Sequence, residues 1–253
     1  MTALHTDADH DADWPRLRGV GLDGLLVSFG DTLTEPANRA ALAFCAALDR
    51  EGPPGIEETS TSLVSAYLRF DALSCDRAAL VAAVSALMLS RDWRAEPLPA
   101  GRRLWRIPTV YGTDAAPQLD EAAAAAGLSP AEAVRAISER PVRVQTIGFA
   151  PGQPYLGQLP AEWNIPRQTT LTRRVPVGAL TVAIRQLVLF SVPAPTGWRH
   201  IGQTAFRAFR PDAEDPFALR PGDEVLFEPV PTEALRRLRE DGPDGGARAE
   251  PLS

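Results

Sequence analysis

The chain has 253 residues, of which 45% are hydrophobic and 23% charged, and its formal net charge is −6 at pH 7. This composition excludes a wholly disordered chain and a collagen-like repeat, and the length predicts one large domain or two modest ones. The negative charge argues against nucleic acid as the main partner, and the longest apolar run, residues 179–192, is too short to span a membrane.

The chain opens with an Asp-rich stretch that has neither the positive nor the apolar region of a signal peptide. We therefore predict a disordered acidic tail over residues 1–14 and a cytoplasmic protein that does not bind a membrane.

Residues 15–92 predict a small α+β domain. Alternation and helical spacing of apolar residues predict a strand at 24–29, a helix at 36–50, a strand at 62–70 and a helix at 77–89. Two helices alternating with strands indicate a ferredoxin-like sheet with its helices on one face. Residues 93–102, rich in proline and glycine, are predicted to be a linker.

Residues 103–231 predict a second domain that is mostly β. It begins with a strand at 103–111, a helix at 117–126 and a second helix that starts after Ser129 and ends near 139. Four further strands are predicted, at 142–149, 180–192, 200–209 and 224–230. This pattern is typical of an antiparallel barrel or a sandwich. The last segment, 232–253, is predicted to be a short helix followed by a disordered tail.

The residue types present limit the chemistry. All 26 basic side chains are arginine, so the chain has no lysine for a Schiff base or a phosphate loop. Two cysteines and three histidines, two of which lie in the acidic tail, offer no structural metal site, which needs about four ligands. His200 is the remaining histidine, and its place in a predicted strand favours a structural role over that of a general base.

Residues 147–160 carry the densest signal. Three glycines and three prolines predict an irregular, rigid loop in which backbone amides can approach a ligand closely. The segment reads Ile-Gly-Phe-Ala-Pro-Gly-Gln-Pro-Tyr-Leu-Gly-Gln-Leu-Pro.

This segment resembles the GFxPGxPYLxGLP signature of the carboxyltransferase C/D-type family, which includes the B-type subunits of 5-oxoprolinase, allophanate hydrolase subunit 1 and KipI-like kinase inhibitors. Further segments match in the family's order: 166–167 (Pro-Arg), 174–178 (RVPxG), 195–204 (PGGWxxIGxT) and 219–227 (LxPGDxVxF). Two positions depart from the pattern. Thr172 stands in place of an arginine, and residues 184–191 replace a GGQTGIYP run while keeping Gln186.

The resemblance implies an N-terminal α+β domain followed by a cyclophilin-like antiparallel β-barrel. It implies a B-type component of an ATP-dependent 5-oxoprolinase, which opens the lactam of 5-oxoproline to glutamate. The implied partners are a C-type carboxyltransferase subunit and an A-type lactam-hydrolysing subunit. The implied cofactor is ATP, and two places for it stay open: arginines or backbone amides of this chain, or a partner subunit of the complex.

Lactam opening requires groups that stabilise an oxyanion, and arginine forks suit a developing phosphate charge. We therefore predict Arg167, Arg174 and Gln186 as catalytic polar contacts that share one cavity with Tyr155. The full set of predicted substrate-binding residues is Gly148, Pro151, Gly152, Gln153, Tyr155 and Trp198. No metal ligand is predicted.

Two alternatives stay open. The altered 184–191 run favours a non-catalytic regulatory or binding module, like the KipI-type inhibitors. A hydrolase component acting on another small amide, such as allophanate, is the third hypothesis.

Overall fold

The computed structural model describes residues 14–252, so residues 1–13 of the predicted acidic tail, with His5 and His10, lie outside the described residues. The described chain forms two compact units, which divide between residues 99 and 100. The division falls within the stretch 93–102 that was predicted as a linker. No helix of the described residues has the length and apolar character needed to cross a bilayer.

The first unit is a four-stranded antiparallel sheet with two helices, in the strand order β1-β2-β4-β3. Its elements are β1 (Arg16–Val20), β2 (Gly24–Ser28), α1 (Glu35–Glu51), β3 (Ile56–Ser62), β4 (Ser65–Phe70) and α2 (Arg77–Leu89). The series β2-α1-β3-β4-α2 supplies the first five elements of the ferredoxin-like order. Strand β1, which precedes them in the chain, supplies the sixth at the sheet edge, which confirms the predicted fold class.

Local sequence explains the helices of this unit. The Thr34 side chain accepts a hydrogen bond from the backbone N–H of Ala37 and caps α1, whose first turn contains Pro36. The buried face of α1 brings Phe44 against Trp93, with ring centroids 5.0 Å apart. Cys45 is buried beside it, and burial raises the pKa of its thiol to about 11. Cys45 is therefore a small core residue of this unit.

The second unit is a closed barrel. Seven strands pair in the order β12-β9-β10-β7-β6-β13-β5, and pairing of β12 with β5 closes the ring. The elements are β5 (Arg103–Tyr111), α3 (Leu119–Ala125), α4 (Pro130–Ser138), β6 (Val142–Ile147), β7 (Pro154–Gly157), β8 (Thr172–Val175), β9 (Ala179–Ala183), β10 (Gln186–Leu189), β11 (Ala194–Thr196), β12 (Arg199–Thr204), β13 (Glu224–Pro229), α5 (Ala234–Glu240) and β14 (Arg248–Pro251). Strands β8 and β11 form a separate two-stranded sheet.

The barrel prediction is thus confirmed, with one difference in strand direction. Strand β13 runs parallel to β5, while the other barrel pairs are antiparallel. The interior holds large apolar side chains, among them Trp163, Phe206 and Phe227, and Leu119 of α3 and Ile137 of α4 pack against it. Because the barrel is filled by side chains, a ligand site has to lie on its rim or outer surface.

The LRPGDEVLF segment contacts the start of β5 through a buried carboxylate. Asp223 is 2% exposed and its Oδ2 lies 2.6 Å from the Arg103 guanidinium. The same carboxylate accepts hydrogen bonds from the backbone N–H groups of Arg103 and Arg220. A charged group that is paired and hydrogen-bonded in this way is stable inside a protein, so this motif has a structural role.

Two sequence predictions are wrong in this unit. Residues 180–192 are not one strand but a hairpin, in which Ile184 and Arg185 form a two-residue turn between β9 and β10. The chain after α5 is not a disordered tail, because β14 pairs with β5 over four residues. The free edge of the long strand β5, beyond the part that β12 covers, offers backbone groups for this pairing.

Candidate functional site

The glycine-rich loop is held by hydrogen bonds within its own backbone, and Gly152 serves packing more than ligand access. The Gly148 N–H donates to the carbonyl of Gln153, and the Gln153 N–H donates to that of Ala150. Gly152 has φ +66°, and a Cβ there would lie 3.0 Å from the Ala208 carbonyl oxygen. Pro151 is exposed in the loop. Of the two predicted glycines, Gly148 is the one with open space where a Cβ would lie.

Tyr155 and Trp198 are walls of an apolar cluster rather than of a cavity. Their rings meet edge to face with centroids 6.1 Å apart. Trp198 packs with Val175 and Phe190 in a small core beside β8 and β11, and the half-buried Tyr155 packs against it. In this arrangement the two rings anchor a small core.

Gln186 and Gln153 are buried in the barrel wall. The side-chain amide of Gln186 donates to Gln145 Oε1 at 2.9 Å, so its partner is another side chain. Gln153 is 1% exposed, and its Oε1 has no hydrogen-bond partner among the described residues.

The predicted convergence of Arg167, Arg174, Gln186 and Tyr155 on one cavity is not what the structure shows. Arg167 is exposed. It lies near Gly197, since a Cβ placed on Gly197 would be 3.6 Å from Arg167 Nε. Of these four residues, Arg174 on β8 lines the cavity described next. Gln186 on β10 instead meets Gln145 of β6 beside Gly157 of β7.

That cavity has a volume of about 480 Å³ and lies between β8, β12, α5 and the residues that lead into α3. The residues that give it chemical character are Asp114, Gln118, Arg174, His200, Gln203 and Arg239. Thr172, which stands where the family pattern has an arginine, also lines it. The cavity therefore has one arginine fewer than the pattern would supply.

His200 is held in this cavity by Gln118. The backbone N–H of His200 donates to Gln118 Oε1 at 2.9 Å, and the backbone N–H of Gln118 donates to the carbonyl of His200. The imidazole is 5% exposed, and its Nε2 has no hydrogen-bond partner among the described residues. Burial lowers the pKa of His200, although polar contacts with Gly202 and Gln203 oppose this effect, so the ring is neutral at pH 7.

Gln203 presents an acceptor in the same cavity. Its side-chain N–H groups donate to the carbonyls of Val177 and Thr204, both at 2.9 Å, which fixes the orientation of the amide. Gln203 is 1% exposed, and a polar contact of its side chain with the imidazole of His200 raises the pKa of that ring. The two residues therefore form a buried polar pair at the edge of the cavity.

Sequence reasoning assigned His200 a structural role and did not consider Gln203. Residues three apart in a regular strand point to opposite faces. The pairing of β12 with β9 shifts register between His200 and Gly202, so one extra residue is inserted there. This bulge brings the side chains of His200 and Gln203 to one cavity. No local sequence pattern predicts the bulge.

The charged residues that line the cavity carry a net positive charge. Arg174 and Arg239 are exposed and form no ion pair with any residue in the range 14–252. Asp114 is the one carboxylate in the lining, and His200 is neutral, so two positive charges face one negative charge. Over the same residues, no cluster of three histidine, cysteine or acidic side chains suits a metal ion.

Comparisons with known proteins agree with this architecture. Residues 15–219 match the family described as carboxyltransferase domain, subdomain C and D. The B-type 5-oxoprolinase subunit of Escherichia coli O157:H7 is 38% identical over 142 residues, which cover 56% of this chain and 65% of that protein. The B-type 5-oxoprolinase subunit of Bacillus subtilis (strain 168) is 27% identical over 233 residues, covering 89% of this chain and 97% of that one.

A solved structure is also similar. The crystal structure of TTHA0988 superposes with a TM-score of 0.70 and 31% identity. The superposition covers 85% of this chain and 40% of that chain, so this chain spans less than half of that longer protein.

Proposed function

Because the chain belongs to the carboxyltransferase subdomain C and D family, we propose that it is a subunit of a 5-oxoprolinase-like complex. In this proposal the complex opens the lactam of 5-oxoproline to glutamate with ATP, and this chain works with a C-type carboxyltransferase subunit and an A-type lactam-hydrolysing subunit. The observation that carries the proposal is the match with the B-type 5-oxoprolinase subunit of Bacillus subtilis, which extends over most of both proteins.

The site supports this proposal chemically. Opening a lactam requires hydrogen-bond donors and cations near the carbonyl oxygen, where negative charge develops. Arg174, Arg239 and the neutral imidazole of His200 line one cavity and supply groups of this kind. ATP supplies the driving force for ring opening when bound. We assign it to the complex, because this chain has no lysine for a phosphate loop.

The test is reconstitution of the complex from this chain and the two partner subunits, followed by measurement of glutamate release. We expect release from 5-oxoproline that depends on ATP and on this chain. A complex that lacks this chain is the control. An assembled, folded three-subunit complex that releases no glutamate would contradict the proposal.

A second candidate function is a regulatory or binding module without catalysis. The observation that favours it is the turn at Ile184 and Arg185, where side chains occupy the places of two glycines in the family pattern. Ile184 is 46% exposed there and offers an apolar contact in place of free backbone amides. In the same reconstitution, allophanate serves as the alternative amide. Assembly with no turnover of either substrate would favour this second function.

A further inference from the structure

We propose that Gln118 is a positioning residue of the cavity beside His200, where it holds two walls of the cavity at a fixed separation. One wall is strand β12 with His200, and the other is strand β8 with Arg174. The inference deepens the proposed function and rests on it only for its kinetic test.

The two walls belong to different sheets. Strand β12 is part of the barrel, whereas β8 pairs with β11 in the separate two-stranded sheet. Over the described residues no ladder of backbone hydrogen bonds runs from β8 to β12, so backbone pairing fixes each wall only within its own sheet. The separation of the walls therefore depends on the side chains that reach from one to the other.

The side chain of Gln118 reaches both walls. Gln118 occupies the N-cap position of α3, yet its side chain makes no capping hydrogen bond to that helix. Its Oε1 instead accepts the backbone N–H of His200 at 2.9 Å and lies 3.5 Å from Thr172 Oγ1 at the start of β8. The backbone N–H of Gln118 donates to the carbonyl of His200, so both backbone polar groups of His200 are held by one residue.

A second glutamine completes the link. Gln118 Nε2 donates to Gln168 Oε1 at 2.7 Å and lies 3.5 Å from Glu121 Oε2. Gln168 Nε2 donates to the carbonyl of Trp198 at 3.1 Å, and the backbone N–H of Gln168 donates to the carbonyl of Gly197 at 2.7 Å. Gln168 belongs to the segment that leads into β8, so this segment is fastened to the residues just before β12.

The backbone fixes the orientation of both side-chain amides. The two amides form a relay that starts at the backbone N–H of His200 and ends at the carbonyl of Trp198. A donor at one end and an acceptor at the other allow one orientation of each amide, because rotating either amide would oppose two donors or two acceptors. Hydrogen bonds are directional, so we expect the loss of either glutamine to loosen His200.

The first test is the pKa of His200, measured in the full chain by NMR titration of the histidine side chains. The chain has three histidines, and the His200→Gln protein identifies the signal of His200. In Gln118→Met and Gln168→Met, which keep a long side chain without the amide, this pKa should rise toward 6.5 because a loosened imidazole gains water. The charged groups around the cavity and at the start of α3 are the same in these variants, namely Asp114, Glu121, Arg174, Arg199 and Arg239.

Two exposed neighbours provide the controls. They are Asp120→Asn in α3 and Thr169→Ala in the segment before β8, and neither residue lines the cavity, so the pKa of His200 should not rise. The double variant of Gln118 and Gln168 should shift that pKa no further than the larger single shift, because the two amides act through one hydrogen bond. Additive shifts would overturn the inference. An unchanged pKa in glutamine variants that unfold at a lower temperature would show a structural role only and would also overturn it.

The second test is steady-state kinetics of the reconstituted complex. We expect Gln118→Met to raise the KM for 5-oxoproline about fivefold, the effect of one lost hydrogen bond, and Asp120→Asn to leave it unchanged. A working complex in which Gln118→Met changes neither kcat nor KM would overturn the inference and leave the proposed function intact. A complex without turnover would contradict the proposed function, while a raised pKa of His200 in the glutamine variants would still support the positioning role of Gln118.

Discussion

At the scale of single residues, burial decides what a polar side chain can do. Asp223 is buried with an arginine and several N–H donors and is therefore structural. His200 and Gln203 are buried as deeply, but they contact each other and line a cavity instead of pairing with a charged group. Because a cavity lined by convergent polar groups is the usual place for a ligand, these two residues are the better candidates for a binding role.

His200 should make the folded protein less stable at acidic pH. Burial lowers the pKa of its imidazole below the ordinary value of 6.5, which applies in the unfolded chain. Below pH 6.5 the unfolded state therefore binds more protons, and the free energy of unfolding falls until the pH reaches the folded-state pKa. Arg174 and Arg239 in the same cavity oppose protonation of the ring, and Asp114 favours it.

The measurement is urea denaturation at pH 7.5 and pH 5.0 for the natural protein and for His200→Gln. The variant should lose less stability on acidification, by about 1.4 kcal/mol for each pH unit that separates the two pKa values. Equal losses in the two proteins would show that the pKa of His200 is the same in the folded and the unfolded chain.

At the scale of elements, the β9–β10 hairpin shows how backbone geometry persists when the residues that favour it are replaced. Ile184 and Arg185 adopt φ values of 44° and 62°, in the left-handed region that glycine tolerates best. The turn is held by hydrogen bonds from the Ile184 and Arg185 N–H groups to the carbonyls of Ile165 and Trp163. These contacts offset the conformational cost of a β-branched residue at this position.

Replacing Ile184 with asparagine should therefore stabilise the protein. Asparagine adopts the left-handed region more readily, and Ile184 is about half exposed, so little core packing is lost. We expect the free energy of unfolding to rise by about 1 kcal/mol in chemical denaturation. Ile184→Val, which remains β-branched, is the control and should show no gain. A loss of stability in the asparagine variant would mean that the isoleucine side chain makes contacts that outweigh its strain.

At the scale of the whole molecule, each unit has a hydrophobic core of its own. The core around Phe44 and Trp93 draws only on residues before 99, and the core around Trp163 and Phe206 draws only on residues after 100. A unit that buries its own apolar surface meets the main requirement for independent folding.

Separately produced fragments 1–99 and 100–253 are therefore each expected to fold. The measurement is near-ultraviolet circular dichroism with a thermal transition, which reports fixed packing of the tryptophans that each fragment contains. The full chain, measured alongside, is the control. If either fragment lacks a cooperative transition, its core depends on the other unit.

The sequence by itself determined most elements of this protein, because local rules act over a few residues. Apolar periodicity placed α2 and β5 at their observed bounds, and the Ser129, Pro130 and Glu132 pattern marked the start of α4 correctly. Edge strands such as β1 and β14 have few apolar residues and no clear alternation, so the sequence patterns did not predict them.

Only the tertiary structure decided which polar side chains meet. Closure of the barrel pairs Gly202 with Tyr111, and the bulge in β12 turns His200 and Gln203 toward one cavity with Arg174. Both features depend on the pairing partners of a strand, which lie far away in the chain. Sequence reasoning therefore named Arg174, which lines this cavity, but grouped it with residues that the cavity does not contain.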